Sequence, residues 1–154
     1  MKKKRKPEVS SNTEKAFFAM GCFWGPDYLF SQLPGVLSTQ VGYMGGTTPN
    51  PTYTKLGDHT ETVEIIFYPA KVSYETLLRN FWENHDPTLK QKTQYESIIF
   101  YHSPHQKLLA EQSIQYEKKH FTRPIRTKIL PVTTFYKAEE YHQKYFEKHQ
   151  LLPS

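Results

Sequence analysis

The stretch KAFFAMGCFWG, residues 15–25, decides how the chain begins to fold. Residues 15–20 form a short apolar run typical of a buried strand, and Gly21 ends that run in a tight turn. A helix is expected next, because Pro26 is tolerated in a first helical turn and apolar side chains follow at helical spacing. Those inward-facing side chains are Tyr28, Leu29 and Leu33. The stretch therefore predicts a strand, a turn that carries Cys22, and a helix.

Outside this stretch, the hydrophobic pattern predicts four more strands and three more helices. The strands are expected at residues 36–43, 61–68, 97–102 and 127–132. One helix is expected between its N-cap Ser73 and the breaker Asp86-Pro87, another of about four turns from Ser103-Pro104, and a last one at residues 137–147. In that last segment one side of the helix would carry Ala138, Tyr141, His142 and Tyr145.

The order of these elements indicates the fold. Through residue 102 the order is strand, helix, strand, strand, helix, strand, a split β-α-β core of the ferredoxin-like type with its helices on one face of a sheet. A helix, a strand and a helix are then added at the C-terminal end. We therefore predict a two-layer α/β (α+β) sandwich, with residues 13–154 forming a single domain. The long loop at residues 45–60 is a candidate wall of a functional site.

Composition and charge exclude several classes of protein. Hydrophobic residues make up 37% of the 154 residues, enough for a packed core, and no apolar run approaches the roughly 18 residues that cross a bilayer. The net charge of +5 is local, because residues 2–6 (KKKRK) supply five of the 20 basic residues and leave 15 against 15 acidic residues. Residues 1–12 are expected to be a disordered basic tail rather than a secretory signal, with targeting or polyanion binding as the alternative.

Cys22 is the one cysteine of the sequence, so neither an internal disulfide nor a multi-thiolate zinc site is expected. A lone thiol favours a reducing compartment, and we expect a cytoplasmic protein. At the start of a helix, backbone N–H groups and the helix dipole favour the nucleophilic thiolate. The neighbouring Phe23 and Trp24 would build a hydrophobic surface beside the sulfur. From these residues alone, a buried structural cysteine is an equal alternative.

The segment GCFWG at residues 21–25 resembles the nucleophile motif of the A-type peptide-methionine sulfoxide reductases. Similar motifs follow in the family's order: LPGV (33–36), VGYMGG (41–46), PNPTY (49–53), GDHTETVEI (57–65), FWENHDPT (81–88), TQYES (93–97) and FYKAEEYHQKY (135–145). The resemblance covers roughly residues 15–147. It implies thiol-dependent repair of oxidised proteins: reduction of the S epimer of methionine sulfoxide, in proteins and also as the free amino acid.

The resemblance also implies roles for six residues. Cys22 matches the nucleophile, which attacks the sulfoxide sulfur and becomes a sulfenic acid. Glu61 matches the glutamate that gives a proton to the sulfoxide oxygen. Tyr53 and Tyr95 match two tyrosines that hydrogen-bond this oxygen. The aromatic pair that packs on the substrate methyl group is matched by Phe23 and Trp24.

The sequence departs from the family pattern in two places. Lys90 stands in LKQKTQY where many members have an acidic residue, which affects substrate binding on that side. The C-terminal cysteines that often resolve the sulfenic acid have no match, so the chain resembles the single-cysteine branch. An external thiol is therefore expected to recycle Cys22: thioredoxin, glutaredoxin or glutathione. We read Asp27 as a charge at a helix start and His142 as a structural hydrogen-bonding residue.

The sequence gives little support to a metal site, an acyl-transfer enzyme or a polyanion-binding module. The seven histidines show no convincing ligand spacing, so no metal and no bound cofactor are expected. A Cys-His acyl-transfer enzyme would need a histidine beside Cys22. A nucleic-acid or other polyanion-binding module would rely on the basic tail, but the neutral body argues against it. We expect a monomer, because a repair enzyme must accept varied polypeptides in an accessible site, and we expect no membrane partner.

Overall fold

The computed structural model describes residues 12–149 and shows a single mixed sheet with helices packed against it. The strands are β1 (Glu14–Met20), β2 (Val36–Met44), β3 (Thr60–Phe67), β4 (Ser97–Tyr101), β5 (Lys128–Pro131) and β6 (Tyr136–Lys137). The α-helices are α1 (Trp24–Ser31), α2 (Tyr74–Glu83), α3 (Pro104–Glu117) and α4 (Tyr145–Lys148). Short 3₁₀ turns lie at Thr93–Tyr95, Lys118–His120 and Glu140–His142.

The sheet has the predicted split topology. Its strand order is β5-β4-β1-β3-β2-β6, with β1 antiparallel to both β3 and β4 and with β2 antiparallel to β3. The strands β1 and β2 therefore run in the same direction on either side of β3, which is the split β-α-β core. The strand β5 extends the sheet in parallel beside β4. The α/β prediction is confirmed, and the six-stranded sheet is wider than the four-stranded core.

The side chains of β1 alternate between two apolar clusters. Ala16, Phe18 and Met20 face the larger cluster, which α1 and α2 cover. Phe17 and Ala19 face a smaller cluster on the other side of the sheet, where the chain after β5 packs through Val132 and Phe135. The sheet is thus buried on both faces near its centre, which fixes its register.

The predicted helix starts are present. The Ser73 hydroxyl accepts a hydrogen bond from the Thr76 N–H, and the Ser103 hydroxyl accepts one from the Gln106 N–H. These side chains satisfy backbone donors that helix starts leave unpaired. No helix within residues 12–149 is long and apolar enough to cross a membrane. The predicted basic tail lies almost entirely outside the described residues.

The predicted helix at residues 137–147 is wrong. The chain instead adds β6 to the edge of β2, makes a 3₁₀ turn, and forms only the single turn of α4. The Gln143 side chain explains this path, because it accepts a hydrogen bond from the Val41 N–H and donates to the carbonyls of Val41 and Ala138. The buried Gln143 amide thus hydrogen-bonds to the edge of β2, and this contact holds the chain in a non-helical path. Lys144 then turns the chain with φ 53°.

Candidate active site

The thiol lies in the turn that the sequence predicts. The strand β1 ends at Met20, Gly21 has φ 94°, and α1 begins at Trp24. Glycine is favoured at such a positive φ because other side chains would clash with the backbone. Cys22 follows with its side chain exposed, so the alternative of a buried structural cysteine is not what the structure shows.

Glu61 is a buried carboxyl directly beside this turn. It is the second residue of β3 and is 1% exposed. Its Oε1 accepts a hydrogen bond from the Phe23 N–H at 3.1 Å, and its Oε2 accepts one from the Gln94 side-chain amide at 2.6 Å. The Phe23 contact fixes the acid next to Cys22. Gln94 was not predicted as a site residue, although it stands in the TQYES motif.

Cys22 and Glu61 are both negative when ionised, so the charge of Glu61 disfavours ionisation of Cys22. Loss of water raises the pKa of the Cys22 thiol, the Trp24 N–H lowers it, and the negative charge of Glu61 raises it again. The expected N–H at the helix start is present and favours the thiolate, but the loss of water outweighs it and the net shift in the pKa of Cys22 is upward. Burial also raises the pKa of Glu61 against the lowering effects of Gln94, the Phe23 N–H and Lys92. Both groups therefore hold their protons more firmly than they would in water.

Tyr53 and Tyr95 lie together at the same site, although 42 positions apart in the chain. Tyr53 lies close enough to Tyr95 to raise the pKa of its phenol, and both residues are half-buried. Loss of water, the charge of Glu61 and the contact with Tyr53 raise the pKa of Tyr95 to about 12, and the charge of Cys22 adds to this effect. The charges of both the acid and the thiol thus act on Tyr95, which stays a neutral hydrogen-bond donor near pH 7.

Phe23 and Trp24 have different surroundings. Phe23 is 1% exposed and packs in the core with its ring centroid 5.9 Å from that of Tyr43. Trp24 is half-buried and stacks flat on Tyr145, with the ring centroids 3.6 Å apart and the planes at 4°. The hydrophobic surface beside the sulfur is therefore a buried floor at Phe23 and a more accessible wall at Trp24.

His142 lies at the centre of this aromatic group. Its Nδ1 accepts a hydrogen bond from the Trp24 indole N–H at 3.0 Å, and its ring lies 4.5 Å from that of Tyr53 between centroids. Burial lowers the pKa of His142, and the charge of Glu139 opposes this only partly. A neutral imidazole thus orients the Trp24 ring, which is the hydrogen-bonding behaviour expected of His142, although the residue lies in a 3₁₀ turn rather than on a helix.

Two carboxylates hold the C-terminal segment over the site, and neither was predicted to do so. Glu139 accepts hydrogen bonds from the Tyr43 hydroxyl at 2.7 Å and the Tyr53 N–H at 3.0 Å. Asp27 lies in the first turn of α1, as expected, but it is fully buried. It accepts a hydrogen bond from the Lys144 N–H at 2.8 Å and lies 3.4 Å from the Lys144 Nζ. We call Asp27 and Lys144 the clamp.

The predicted wall at residues 45–60 is braced from within. The Asp58 carboxylate accepts hydrogen bonds from the N–H and hydroxyl groups of Thr47 and Thr48, which lower its pKa. His59 accepts a hydrogen bond from the Gly46 N–H and contacts the Thr48 carbonyl. This bracing presents Tyr53 to the site. In the part of the chain that the structure describes, no group of three His, Cys, Asp or Glu side chains could hold a metal ion.

The chain is similar over most of its length to proteins of known function. The model of the family described as Peptide methionine sulfoxide reductase matches residues 14–153. The curated Peptide methionine sulfoxide reductase MsrA of Geobacter sulfurreducens is 47% identical over 151 residues, covering 90% of this chain and 93% of that protein. The chain belongs to the peptide methionine sulfoxide reductase family. It is an oxidoreductase of the peptide-methionine (S)-S-oxide reductase type, which reduces methionine sulfoxide in peptides and proteins.

Solved structures share the fold. Methionine sulfoxide reductase A of Corynebacterium diphtheriae superposes with a TM-score of 0.86 at 34% identity, covering 93% of this chain and 78% of that one. The Saccharomyces cerevisiae protein Mxr1, in its complex with Trx2, superposes with a TM-score of 0.64 at 24% identity, covering 92% of this chain and 88% of that one. The second likeness concerns the fold alone.

Proposed function

We propose that Cys22 is the nucleophile and Glu61 the proton donor of the reductase reaction. The observation that carries this proposal is the buried Glu61 carboxyl, held by the N–H of the residue that follows Cys22. The Cys22 sulfur bonds to the sulfoxide sulfur while Glu61 protonates the oxygen. The oxygen then passes to the Cys22 sulfur as the methionine sulfur loses its bonds to oxygen and to Cys22, which leaves methionine and a sulfenic acid on Cys22. Methionine sulfur gains two electrons and Cys22 sulfur loses two.

The electrostatics couple the two groups in the direction that this reaction needs. An ionised Glu61 raises the pKa of Cys22, so a thiolate is disfavoured while the acid is charged. When Glu61 carries its proton, that repulsion disappears and the thiolate forms more easily. The reactive combination is therefore a thiolate beside a neutral acid, the arrangement in which the nucleophile and the proton donor are both ready.

Tyr53 and Tyr95 donate hydrogen bonds to the sulfoxide oxygen in this scheme. The raised pKa of Tyr95 keeps its phenol neutral as charge develops on the oxygen, and Tyr53 lies beside it on the same side of the site. The substrate methyl group packs against Trp24, with Phe23 supporting it from below. A pocket that accepts oxygen on one side and methyl on the other distinguishes the two epimers at sulfur.

Replacing Tyr95 with phenylalanine is expected to lower kcat/KM about tenfold. A hydrogen bond to a charged group contributes about 1.5 kcal/mol or more, which corresponds to that factor. The measurement is dithiothreitol-dependent reduction of a peptide that contains the S epimer of methionine sulfoxide. Tyr116→Phe, which removes an exposed hydroxyl on α3, is the matched control and should behave as wild type. An unchanged rate for Tyr95→Phe would remove this tyrosine from the proposed site.

We propose that an external thiol recycles Cys22, because the sequence supplies no second cysteine. The exposed position of Cys22 lets a partner thiol attack the sulfenic acid, forming a mixed disulfide and releasing water. A second thiol, from the same partner protein or from a second glutathione molecule, then attacks the mixed disulfide and releases Cys22. Thioredoxin is one candidate, since Mxr1 has been solved in complex with Trx2. Glutaredoxin and glutathione are the others.

The experiment that tests this scheme is a turnover without reductant. One equivalent of methionine per Cys22 is expected, followed by arrest, with the gain of one oxygen atom on Cys22 by mass spectrometry. Thioredoxin with its reductase, glutaredoxin or glutathione is then added separately, and the one that restores turnover at the lowest concentration is the preferred reductant. Multiple turnovers without any thiol, or arrest without oxidation of Cys22, would contradict the scheme.

The reactivity of Cys22 also bears on the compartment in which the enzyme works. We propose that it works as a monomer in a reducing compartment such as the cytoplasm, without a bound cofactor. A reducing compartment keeps Cys22 available and holds the partner thiol in its reduced form. The acyl-transfer alternative has no support, because the groups that shift the pKa of Cys22 are the Trp24 N–H and Glu61, not a histidine.

A further inference from the structure

Residues 89–92 form an exposed edge directly before the 3₁₀ turn that carries Gln94 and Tyr95. Their sequence is Leu-Lys-Gln-Lys, and all four side chains are exposed. We call them the basic lip. The lip is anchored on its N-terminal side, where Arg126 donates hydrogen bonds from its N–H to the Pro87 carbonyl and from its Nε to the Thr88 carbonyl.

Lys92 reaches the reacting groups electrostatically. Its Nζ lies 5.4 Å from the centroid of the Tyr95 ring. Its positive charge also acts on the Glu61 carboxyl, whose pKa it lowers. The lip is therefore close enough to the proposed reacting centre to touch a polypeptide bound there.

The positive charge of the basic lip is not neutralised by the protein. Among the described residues, neither Lys90 nor Lys92 forms an ion pair with a carboxylate within 4.0 Å. The two carboxylates that flank the lip in the chain are already paired with other cations: Glu96 pairs with Lys128 at 3.1 Å, and Asp86 pairs with Arg123 at 3.2 Å. Arg126 adds another cation at the base of the lip. An approaching chain thus meets the Lys92 ammonium beside Tyr95, with the exposed Lys90 two residues before it in the lip.

We propose that the basic lip is a specificity determinant that selects methionine sulfoxide flanked by aspartate or glutamate. This inference rests on the proposed placement of Cys22 and Glu61 as the reacting centre. When the oxidised side chain enters between Trp24 and the tyrosines, the neighbouring substrate residues pass over the rim of the site. An acidic side chain there pairs with Lys90 or Lys92, whereas a basic one is repelled.

The size of the preference follows from the exposure of the lysines. Exposed ion pairs are weak, and each lysine is expected to change kcat/KM by about two- to fivefold. At low ionic strength the attraction also speeds encounter with an acidic substrate. Salt screens it, because the Debye length falls from about 10 Å at 0.1 M to about 3 Å at 1 M. The preference should therefore be largest in dilute buffer.

The test uses three peptides that differ only in the residues flanking the S epimer of methionine sulfoxide: glutamate, glutamine or lysine. Dithiothreitol serves as the reductant. Wild type is expected to show kcat/KM in the order glutamate, glutamine, lysine, with about a tenfold span in dilute buffer that shrinks at high salt. The double variant Lys90→Gln/Lys92→Gln should bring the ratio of the glutamate to the lysine peptide close to one. Because the readout is a ratio, any effect of Lys92 on Glu61 cancels.

Lys71→Gln is the matched control. Lys71 is exposed and holds its Nζ 5.3 Å from the centroid of the Tyr68 ring, but it lies beyond the end of β3 opposite Glu61. This variant should keep the wild-type ratio. Equal kcat/KM for all three peptides, or a ratio that persists in the double variant, would overturn the inference while leaving the proposed function intact. Failure of wild type on the glutamine peptide would instead contradict the proposed function.

An acidic reductant is the other protein that a basic surface could receive. If the double variant changed only the KM for thioredoxin and left the peptide ratio as in wild type, the basic lip would be a reductant-binding surface. That outcome would also overturn the proposed substrate selection.

Discussion

Replacement of Cys22 with serine is expected to abolish turnover of the S epimer. The proposed reaction oxidises the sulfur of residue 22 by two electrons, and a hydroxyl can neither form a sulfenic acid nor ionise near pH 7. Serine is close in size, and Cys22 is exposed, so the fold should not change. The measurement is methionine release from the sulfoxide peptide with dithiothreitol, together with the thermal unfolding midpoint as a check on the fold.

A relocated thiol provides the matched control for this variant. Cys22→Ser/Ser38→Cys keeps one exposed cysteine, but on β2 instead of in the turn before α1. We expect no turnover, since the displaced thiol lacks the Trp24 N–H and the neighbouring Glu61. Turnover by either variant would show that the oxygen leaves methionine without passing to Cys22.

Replacement of Glu61 with glutamine is expected to lower kcat about 10²- to 10⁴-fold, the usual contribution of a positioned acid. The amide can still accept a hydrogen bond from the Phe23 N–H, but it has no acidic proton for the sulfoxide oxygen. Gln94 must also turn its amide, because it now donates to the carboxylate. The loss should appear in kcat with a smaller change in KM, since the proton transfer occurs in the transition state.

The dependence of activity on pH tests whether Glu61 acts in its protonated form. A general acid works in its protonated form, so activity should fall as the pH rises through the raised pKa of Glu61. The ionisation of Cys22 acts in the opposite sense, and its activity limb rises with pH. In Glu61→Gln the falling limb caused by Glu61 should be absent. A falling limb at the wild-type pH in this variant would assign it to another group.

Glu64→Gln is the matched control for this variant. Glu64 is also buried on β3, at 5% exposure, but it stands three residues further along and so faces the other side of the sheet. It accepts a hydrogen bond from Gln40 and pairs with Lys15 instead of contacting the turn at Cys22. Its replacement should affect stability more than kcat. An equal loss of kcat in both variants would point to damage of β3 rather than to lost acid catalysis.

The sequence predicts most of the sheet because local signals and tertiary packing agree there. Short apolar runs bounded by Gly and Pro mark β1 to β4, and the serine caps mark the starts of α2 and α3. The helix predicted after β5 is absent, because the helix-like spacing of its aromatic residues comes from tertiary contacts and not from a helix. Tyr145 and His142 recur at a helix-like interval, yet each is placed by Trp24. Periodicity alone cannot distinguish a helix face from residues gathered around one side chain.

The site shows a similar division. The turn chemistry around Gly21 marks Cys22, whereas Glu61, Tyr53 and Tyr95 could be singled out only by resemblance to a family. Glu139 and Gln94 were missed altogether. Their partners are far away in the chain: Glu139 binds Tyr53 from 86 positions away, and Gln94 binds Glu61 from 33. Side-chain pairs at such separations leave no periodic trace in a single sequence.

The clamp has a consequence for how the enzyme is completed during folding. Asp27 and Lys144 are 117 positions apart, and the Trp24 and Tyr145 rings meet across a similar separation. Contacts of this kind form late, because the intervening chain must already be arranged. A molecule with an intact sheet but a detached C-terminal segment would keep its thiol and its acid yet lack one wall of the pocket. The shape of the pocket beside Cys22 thus depends on the C-terminal segment. This segment can open as a small cooperative unit at a lower free energy than unfolding of the whole protein.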